Sequence, residues 1–132
     1  MPRVLWALHN DRPGVWVQLA PAAPGLPLTR VLLADTGAGN LNTPFELLLR
    51  DTDCLLCGGT PLGTVNLARA YRGLHPVYRL KILIPAVGFD KYLRVIGVVS
   101  PPTGFDGNAC LSFLSRFNHG NFGLANQFGL EY

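Results

Sequence analysis

Fifteen glycines and eleven prolines cut these 132 residues into short apolar runs. Proline fixes φ and removes a backbone donor, and glycine weakens the interior of helix and strand alike, so long helices have little room here. Short apolar runs bounded by such residues are the pattern of an all-β chain. Residues 14–20, GVWVQLA, alternate and predict a strand; PAAPGLP (21–27) predicts a rigid turn and LTRVLLA (28–34) the next strand. Segment 44–57 has helical character, with Phe45, Leu48, Leu49 and Thr52 near helical spacing, Asn42 or Thr43 as a cap and Pro44 in the first turn. A strand or irregular segment is the alternative there. GGTPLG (58–63) predicts a loop, and strands over 64–71 and 77–85 are joined by RGLHP (72–76), a hairpin with its turn at Gly73. Residues 91–100 predict a strand stopped by Pro101 and Pro102. A helix over 108–117 would send Ala109, Leu111, Leu114 and Phe117 into a core, and 125–132 closes the chain as a strand.

The length suits one domain spanning 1–132 with a real core. An apolar content of 48% against 14% charged residues argues for a folded chain and against disorder. The net charge is +3, but nine arginines and two lysines are scattered singly, so no basic face points to nucleic acid. So little charge on a small domain also leaves room for a surface covered by a partner subunit. No run approaches the roughly 18 apolar residues of a membrane span. The opening MPRVLWALHNDRPG is broken by His9, Asn10, Asp11 and Arg12 before reaching signal-peptide length. Three cysteines, an odd number, favour a reducing compartment, so the expected location is cytoplasmic.

The stretch RVLLADTGAG, residues 30–39, runs four apolar residues from Val31 to Ala34 into the carboxylate of Asp35. A strand that apolar is a costly place for a charge. Asp-x-Gly after a strand is also ordinary turn chemistry, which is the plain reading of the motif. A faint echo recurs downstream, where Asp106-Gly107 follows another apolar strand, as in an internal duplication.

An apolar strand followed by Asp35-Thr36-Gly37-Ala38 resembles the active-site motif of aspartic proteases, and the chain is similar to their single-domain, retroviral-type branch, the retropepsins. The order of features extends the likeness over nearly the whole chain. A strand and turn precede the motif, and a glycine-tipped hairpin follows it. Then come a strand, the loop Phe105-Asp106-Gly107, a short helix containing Phe-Leu, and a final strand. The resemblance implies an all-β, retropepsin-like fold: closed barrel-like sheets, a flap hairpin and one short C-terminal helix.

It also implies the chemistry. Two carboxyls brought within about 3 Å cannot both ionise, so they share one proton. The ionised member takes a proton from a trapped water that attacks the peptide carbonyl, and the protonated member donates to the carbonyl oxygen. Water is the nucleophile, so no cofactor or metal is needed. Asp35 would be the catalytic carboxyl, Thr36 would brace the two active-site loops across a subunit boundary, and Gly37 would let the backbone approach and offer an N–H. Ala38 would stay small beside substrate. The hairpin tip, Arg72, Gly73, Leu74 and His75 with Pro76, would be the flap over an extended peptide or protein substrate. None of the other acids sits in a second such motif; Asp106-Gly-Asn lacks the hydroxyl residue and matches the family's noncatalytic glycine loop. The second carboxyl would then be Asp35 of another copy, in a homodimer. The terminal segments near 3–8 and 125–131 would form the sheet between subunits. The long segment between motif and flap, with CLLCGG in it, and the His75-Pro76 tip depart from the family pattern.

Other candidates have plainer readings. Cys54-x-x-Cys57 is half of a zinc or redox pattern, with only Cys110, His75 and His119 as distant further ligands, so partly buried thiols are the simpler reading. Cys110 fits a core helix face, and His119 a solvent-facing loop. Ser100, Ser112 and Ser115 lack a G-x-S-x-G context. Trp6 and Trp16 suit core or dimer contacts. The reading is an aspartic endopeptidase; its alternatives are a catalytically silent homodimeric peptide-binding module of the same fold, and a small CxxC thiol or zinc protein.

Overall fold

The computed structural model describes residues 1–132. It is all-β, with 47% of residues in strands. Ten strands are β1 (Arg3–Ala7), β2 (Gly14–Leu19), β3 (Leu28–Ala34), β4 (Leu47–Arg50), β5 (Gly63–Leu67), β6 (Gly73–Ile84), β7 (Phe89–Val98), β8 (Gly107–Ala109), β9 (Asn118–Gly120) and β10 (Gln127–Glu131). Two short helices, α1 (Asp51–Gly58) and α2 (Leu111–Leu114), interrupt them.

Strands β2-β3-β8-β4-β7-β6 lie side by side, and β6 returns to β2 through Gln18↔Leu83 and Leu19↔Ile82, which closes a six-strand barrel. Closure leaves no free edge within that ring. β5 adds only to the outer part of β6, so the β5–β6 hairpin projects from the barrel. A separate three-stranded sheet, β1-β10-β9, packs beside it, with Val4 and Trp6 against the main core.

The barrel interior explains the sequence pattern. Alternate residues of β6, Tyr78, Leu80, Ile82 and Ile84, point inward and are buried. β3 is apolar at consecutive positions because both its faces are covered. Leu32 enters the main core, while Val31 and Leu33 pack with Phe105 on the other side. β4, paired with β7 (parallel) and β8 (antiparallel), is likewise buried on both faces, Leu47 and Leu49 in the main core and Leu48 with Phe45 and Ile96 on the other side.

That double burial corrects the reading of 44–57. A strand covered on both faces is continuously apolar, and Phe45, Leu48 and Leu49 mimic helical spacing for that reason. The helix begins only at Asp51, where Asp51 and Asp53 sit in its first turn and suit the positive end of its dipole. Thr43 caps no helix; its hydroxyl accepts from the Asn40 N–H at 2.8 Å in a self-bonded loop. The C-terminal helix is likewise shorter than expected. Residues 107–109 are drawn into the barrel between β3 and β4, which leaves only Leu111–Leu114 helical. Cys110, Phe113, Leu114 and Phe117 of this region are buried, and His119 is exposed.

The internal echo has a structural counterpart. β3 and β8 run parallel as neighbours, Leu32↔Gly107, Leu33↔Asn108 and Ala34↔Ala109, so the two strand-to-glycine segments lie side by side.

Candidate active site

Asp35 stands where β3 leaves the barrel. Its N–H donates to Ala109 O at 3.0 Å, its carbonyl accepts from the Ala38 N–H at 3.1 Å, and its side chain is half-buried. The chain therefore turns at the carboxylate while still anchored to β8, so the charge escapes the barrel interior without leaving the wall. The Gly37 N–H donates to Asp35 Oδ1 at 3.1 Å. A side chain at Gly37 would begin 3.4 Å from that oxygen, which is ordinary contact. Ala38 O in turn accepts from the Leu111 N–H at 3.0 Å, which ties the turn to α2. Thr36 faces solvent on the exposed side of the loop.

A cavity of about 550 Å³ opens above this turn. Asp35, Gly37 and Ala38 form one side; Phe45, Leu48 and Cys110 supply an apolar wall. Its roof is the hairpin tip, residues 67–71. Asp35 is the only acid in the lining. Four other carboxylates are paired elsewhere: Asp53 with Arg30 at 2.8 Å, Glu46 with Arg116, Glu131 with Arg3 at 2.8 Å and Asp90 with Lys81 at 3.3 Å. Asp106 accepts from the Val31 N–H at 2.9 Å and so extends the β3–β8 pairing by one residue.

The hairpin tip lies earlier in the chain than the sequence predicts. β6 begins at Gly73, and Leu74, His75 and Pro76 are paired strand residues opposite Asn66, Val65 and Thr64. Pro76 is tolerated there because β6 starts pairing with β7 only at Val77, so its missing N–H breaks no bond on that side. The tip is a single tight turn over Arg69–Tyr71, entered through a left-handed Arg69 (φ 62°). Gly73, with φ 117°, starts the return strand instead of forming the turn. Arg72, Gly73, Leu74 and His75 thus stand outside the cavity lining, whereas Leu67, Arg69 and Tyr71 line it. His75 acts on the tip indirectly, its Nε2 lying 2.6 Å from Tyr71 O.

Two residues that the sequence reading passed over complete the site. Asn108 of β8 donates from Nδ2 to Asp35 Oδ2 at 3.4 Å, and Tyr71 of the tip donates its hydroxyl to Asn108 Oδ1 at 3.3 Å. Roof and floor are thereby joined across the cavity. Burial pushes the Tyr71 phenol above its ordinary value, and the Asp35 carboxylate pushes in the same direction. The phenol therefore stays protonated and able to donate. Burial, then Asp35 and Glu46, pushes the Cys110 thiol up to about 12, so it lines the cavity as a neutral apolar group. An asparagine following Asp-Gly offered a signal only if β8 was already known to lie beside β3.

Cys54 and Cys57 are both buried on α1, with burial as the main cause pushing Cys54 up to about 12. No group of three His, Cys, Asp or Glu side chains converges where a metal ion could bind. No helix is long and apolar enough to cross a membrane. Comparison of the chain with protein-family models, curated proteins and solved structures finds no match.

Proposed function

We propose that this chain is an aspartic endopeptidase of the retropepsin type, active as a homodimer in which Asp35 of each copy supplies one carboxyl. The observation that carries this reading is the position of Asp35: the sole acid in the wall of a roofed cavity, fixed at its base by β8 and through Oδ1 by the Gly37 N–H. One carboxylate can accept a proton from water. A second is needed to donate one to the carbonyl oxygen, and no other acid of this chain lines the cavity. A two-fold axis beside Asp35 supplies the partner carboxyl. The exposed Thr36 and the exposed loop carrying Leu41 are free for contact with that partner.

In this mechanism the substrate lies extended under the β5–β6 hairpin, and the apolar wall of Phe45 and Leu48 receives a side chain near the cleaved bond. Closing the hairpin excludes bulk water and leaves the one held between the carboxyls. The Gly37 N–H, already directed at Oδ1, holds each carboxyl in orientation as charge passes between them.

Digestion of a peptide library by wild type and Asp35→Asn, with sedimentation of both proteins, tests the proposal. The expected outcome is a dimer in each case and a loss of cleavage of about a thousandfold or more in the variant, the scale of a missing general base. Cleavage that survives Asp35→Asn refutes the assignment. Peptides that bind both proteins equally and are never cut would identify a silent binding module.

A further inference from the structure

We propose that Asn108 is a positioning residue for Asp35, and that through Tyr71 it makes closure of the hairpin and orientation of the carboxyl a single event. The inference rests on the reading of Asp35 as the catalytic carboxyl and goes beyond it by assigning what sets that carboxyl's geometry.

The case begins with an anomaly of burial. Asn108 and Asp53 are the only two buried residues with polar or charged side chains, and Asn108 is 4% exposed. Asp53 is accounted for by its two-pronged pairing with Arg30 at 2.8 and 3.0 Å. Asn108 has no such structural partner. It sits in β8 between Leu33 of β3 and Leu48 of β4, where an apolar side chain would be the ordinary occupant. A buried amide is costly unless its donor and acceptor are both met. The two groups that meet them are the Asp35 carboxylate and the Tyr71 hydroxyl.

The direction of the bonds is forced. A carboxylate only accepts, so Nδ2 must face Asp35; Oδ1 then faces the roof and must find a donor, which the tip supplies as the Tyr71 O–H. Asp35 is consequently held at both oxygens, Oδ1 by the Gly37 N–H and Oδ2 by Asn108. The two bonds through Asn108, at 3.3 and 3.4 Å, are long for their types, the kind that shorten when substrate brings roof and floor together. When the tip lifts, Asn108 Oδ1 loses its donor and the amide is free to rotate, so Asp35 loses its hold at Oδ2. A closed tip restores both.

The experiment is a double-mutant cycle on the full-length protein, using Asn108→Leu, Tyr71→Phe and the pair, with steady-state kinetics on a cleaved peptide, thermal unfolding and sedimentation. Asn108→Leu is expected to hold or raise the unfolding temperature, since leucine suits a slot between Leu33 and Leu48, and to keep the dimer. It should lower kcat by about ten- to a hundredfold with KM nearly unchanged, the weight of one hydrogen bond to a charged group. Tyr71→Phe should lower kcat less and add nothing in the Asn108→Leu background. A drop in unfolding temperature with kcat intact, or strictly additive losses, overturns the inference.

A second arm needs no activity. The Asn108 side-chain amide protons, followed by nuclear magnetic resonance, should shift and exchange faster in Asp35→Ala and in Tyr71→Phe. Resonances indifferent to both changes overturn the inference as well. If wild type cleaves nothing, the protease reading fails, and this arm still decides whether Asn108 holds the carboxyl.

Discussion

Gly107→Ala tests the clamp that brings β8 to Asp35. A methyl group at Gly107 would lie 2.0 Å from Leu48 O and 3.0 Å from both Leu48 C and Leu49 Cδ2. The nearest obstacle is a backbone oxygen of β4, which cannot swing aside as a side-chain end can. Relief requires β8 and β4 to separate, at the cost of a ladder that pairs Leu47↔Ala109, Leu48↔Asn108 and Leu49↔Gly107. Overpacking of a core costs about 1–3 kcal/mol and sometimes more; with rigid backbone on the opposing side, the upper end, about 3 kcal/mol, is expected. Two other glycines calibrate the scale. At Gly129 the obstacles are Leu5 Cδ2 at 2.5 Å, a side-chain end that can move, and the backbone Val4 O at 2.6 Å. That overlap is milder than at Gly107 and falls on a strand whose outer edge is open, so about 1–2 kcal/mol is expected. Gly63 has nothing within 4 Å and lies on the hairpin edge, so Gly63→Ala should be neutral or stabilise by up to about 0.5 kcal/mol. Urea unfolding followed by circular dichroism measures all three, with midpoints ordered Gly107→Ala below Gly129→Ala below Gly63→Ala. A Gly107→Ala midpoint equal to that of Gly63→Ala would refute the clamp, and with it the route by which Asn108 reaches Asp35.

Two further outcomes follow from charge and burial. The Asn118 amide, and after it Arg3, hold the Glu131 carboxyl below its ordinary value of 4.5; a carboxyl lowered by folding adds stability above its unfolded value and loses it as pH falls through the folded one. The gap in unfolding temperature between wild type and Glu131→Gln should therefore be full at neutral pH and close as pH drops below 4.5, and a gap independent of pH counts against the tie. With the Cys54 and Cys110 thiols pushed up to about 12, the native protein at pH 8 should resist alkylation at both and react only on unfolding; rapid native labelling of either contradicts the buried placement.

The all-β class was legible because glycine and proline placement and strand alternation are local signals, and β2, β3 and β7 fall close to their expected bounds. What failed to show was governed by neighbours distant in sequence. β4 looked helical because one of its faces packs into the main core and the other against Phe45 and Ile96, and burial on two faces erases the period of two that marks a strand. The helix over 108–117 lost its first residues to the barrel for the same reason. The hairpin tip was misplaced because Gly73 carried the turn signal, while the chain turns through a left-handed Arg69, a conformation that arginine seldom adopts and no propensity anticipates. Asp35 stood out in the sequence because a charge after an apolar run is conspicuous. Asn108 did not, since its meaning depends on the pairing of β3 with β8 across more than half of the chain.

The terminal strands constrain any dimer more than the family likeness suggests. β10 is bonded on one side to β1 over five residue pairs, from Arg3↔Glu131 to Ala7↔Gln127, and on the other to β9 over three. A strand has two edges, and both edges of β10 are taken within one protomer. An intersubunit sheet that interleaves β10 would first have to unpair one of these ladders. Two arrangements avoid that cost: strand addition at the outer edge of β1 or β9, or exchange of β1 between copies, which remakes the same five pairs and the Arg3–Glu131 bridge in trans. Exchange keeps the hydrogen-bonding total of the protomer, so it adds little new stability through strand pairing, whereas addition at an open edge gains a new ladder. In an exchanged dimer the free energy of association would have to come from other surface, and the exposed Thr36 and the 67% exposed Leu41 near Asp35 offer some. Under the proposed mechanism, an exchanged dimer would draw its affinity from beside the carboxyls, and assembly and completion of the carboxyl pair would depend on the same contacts.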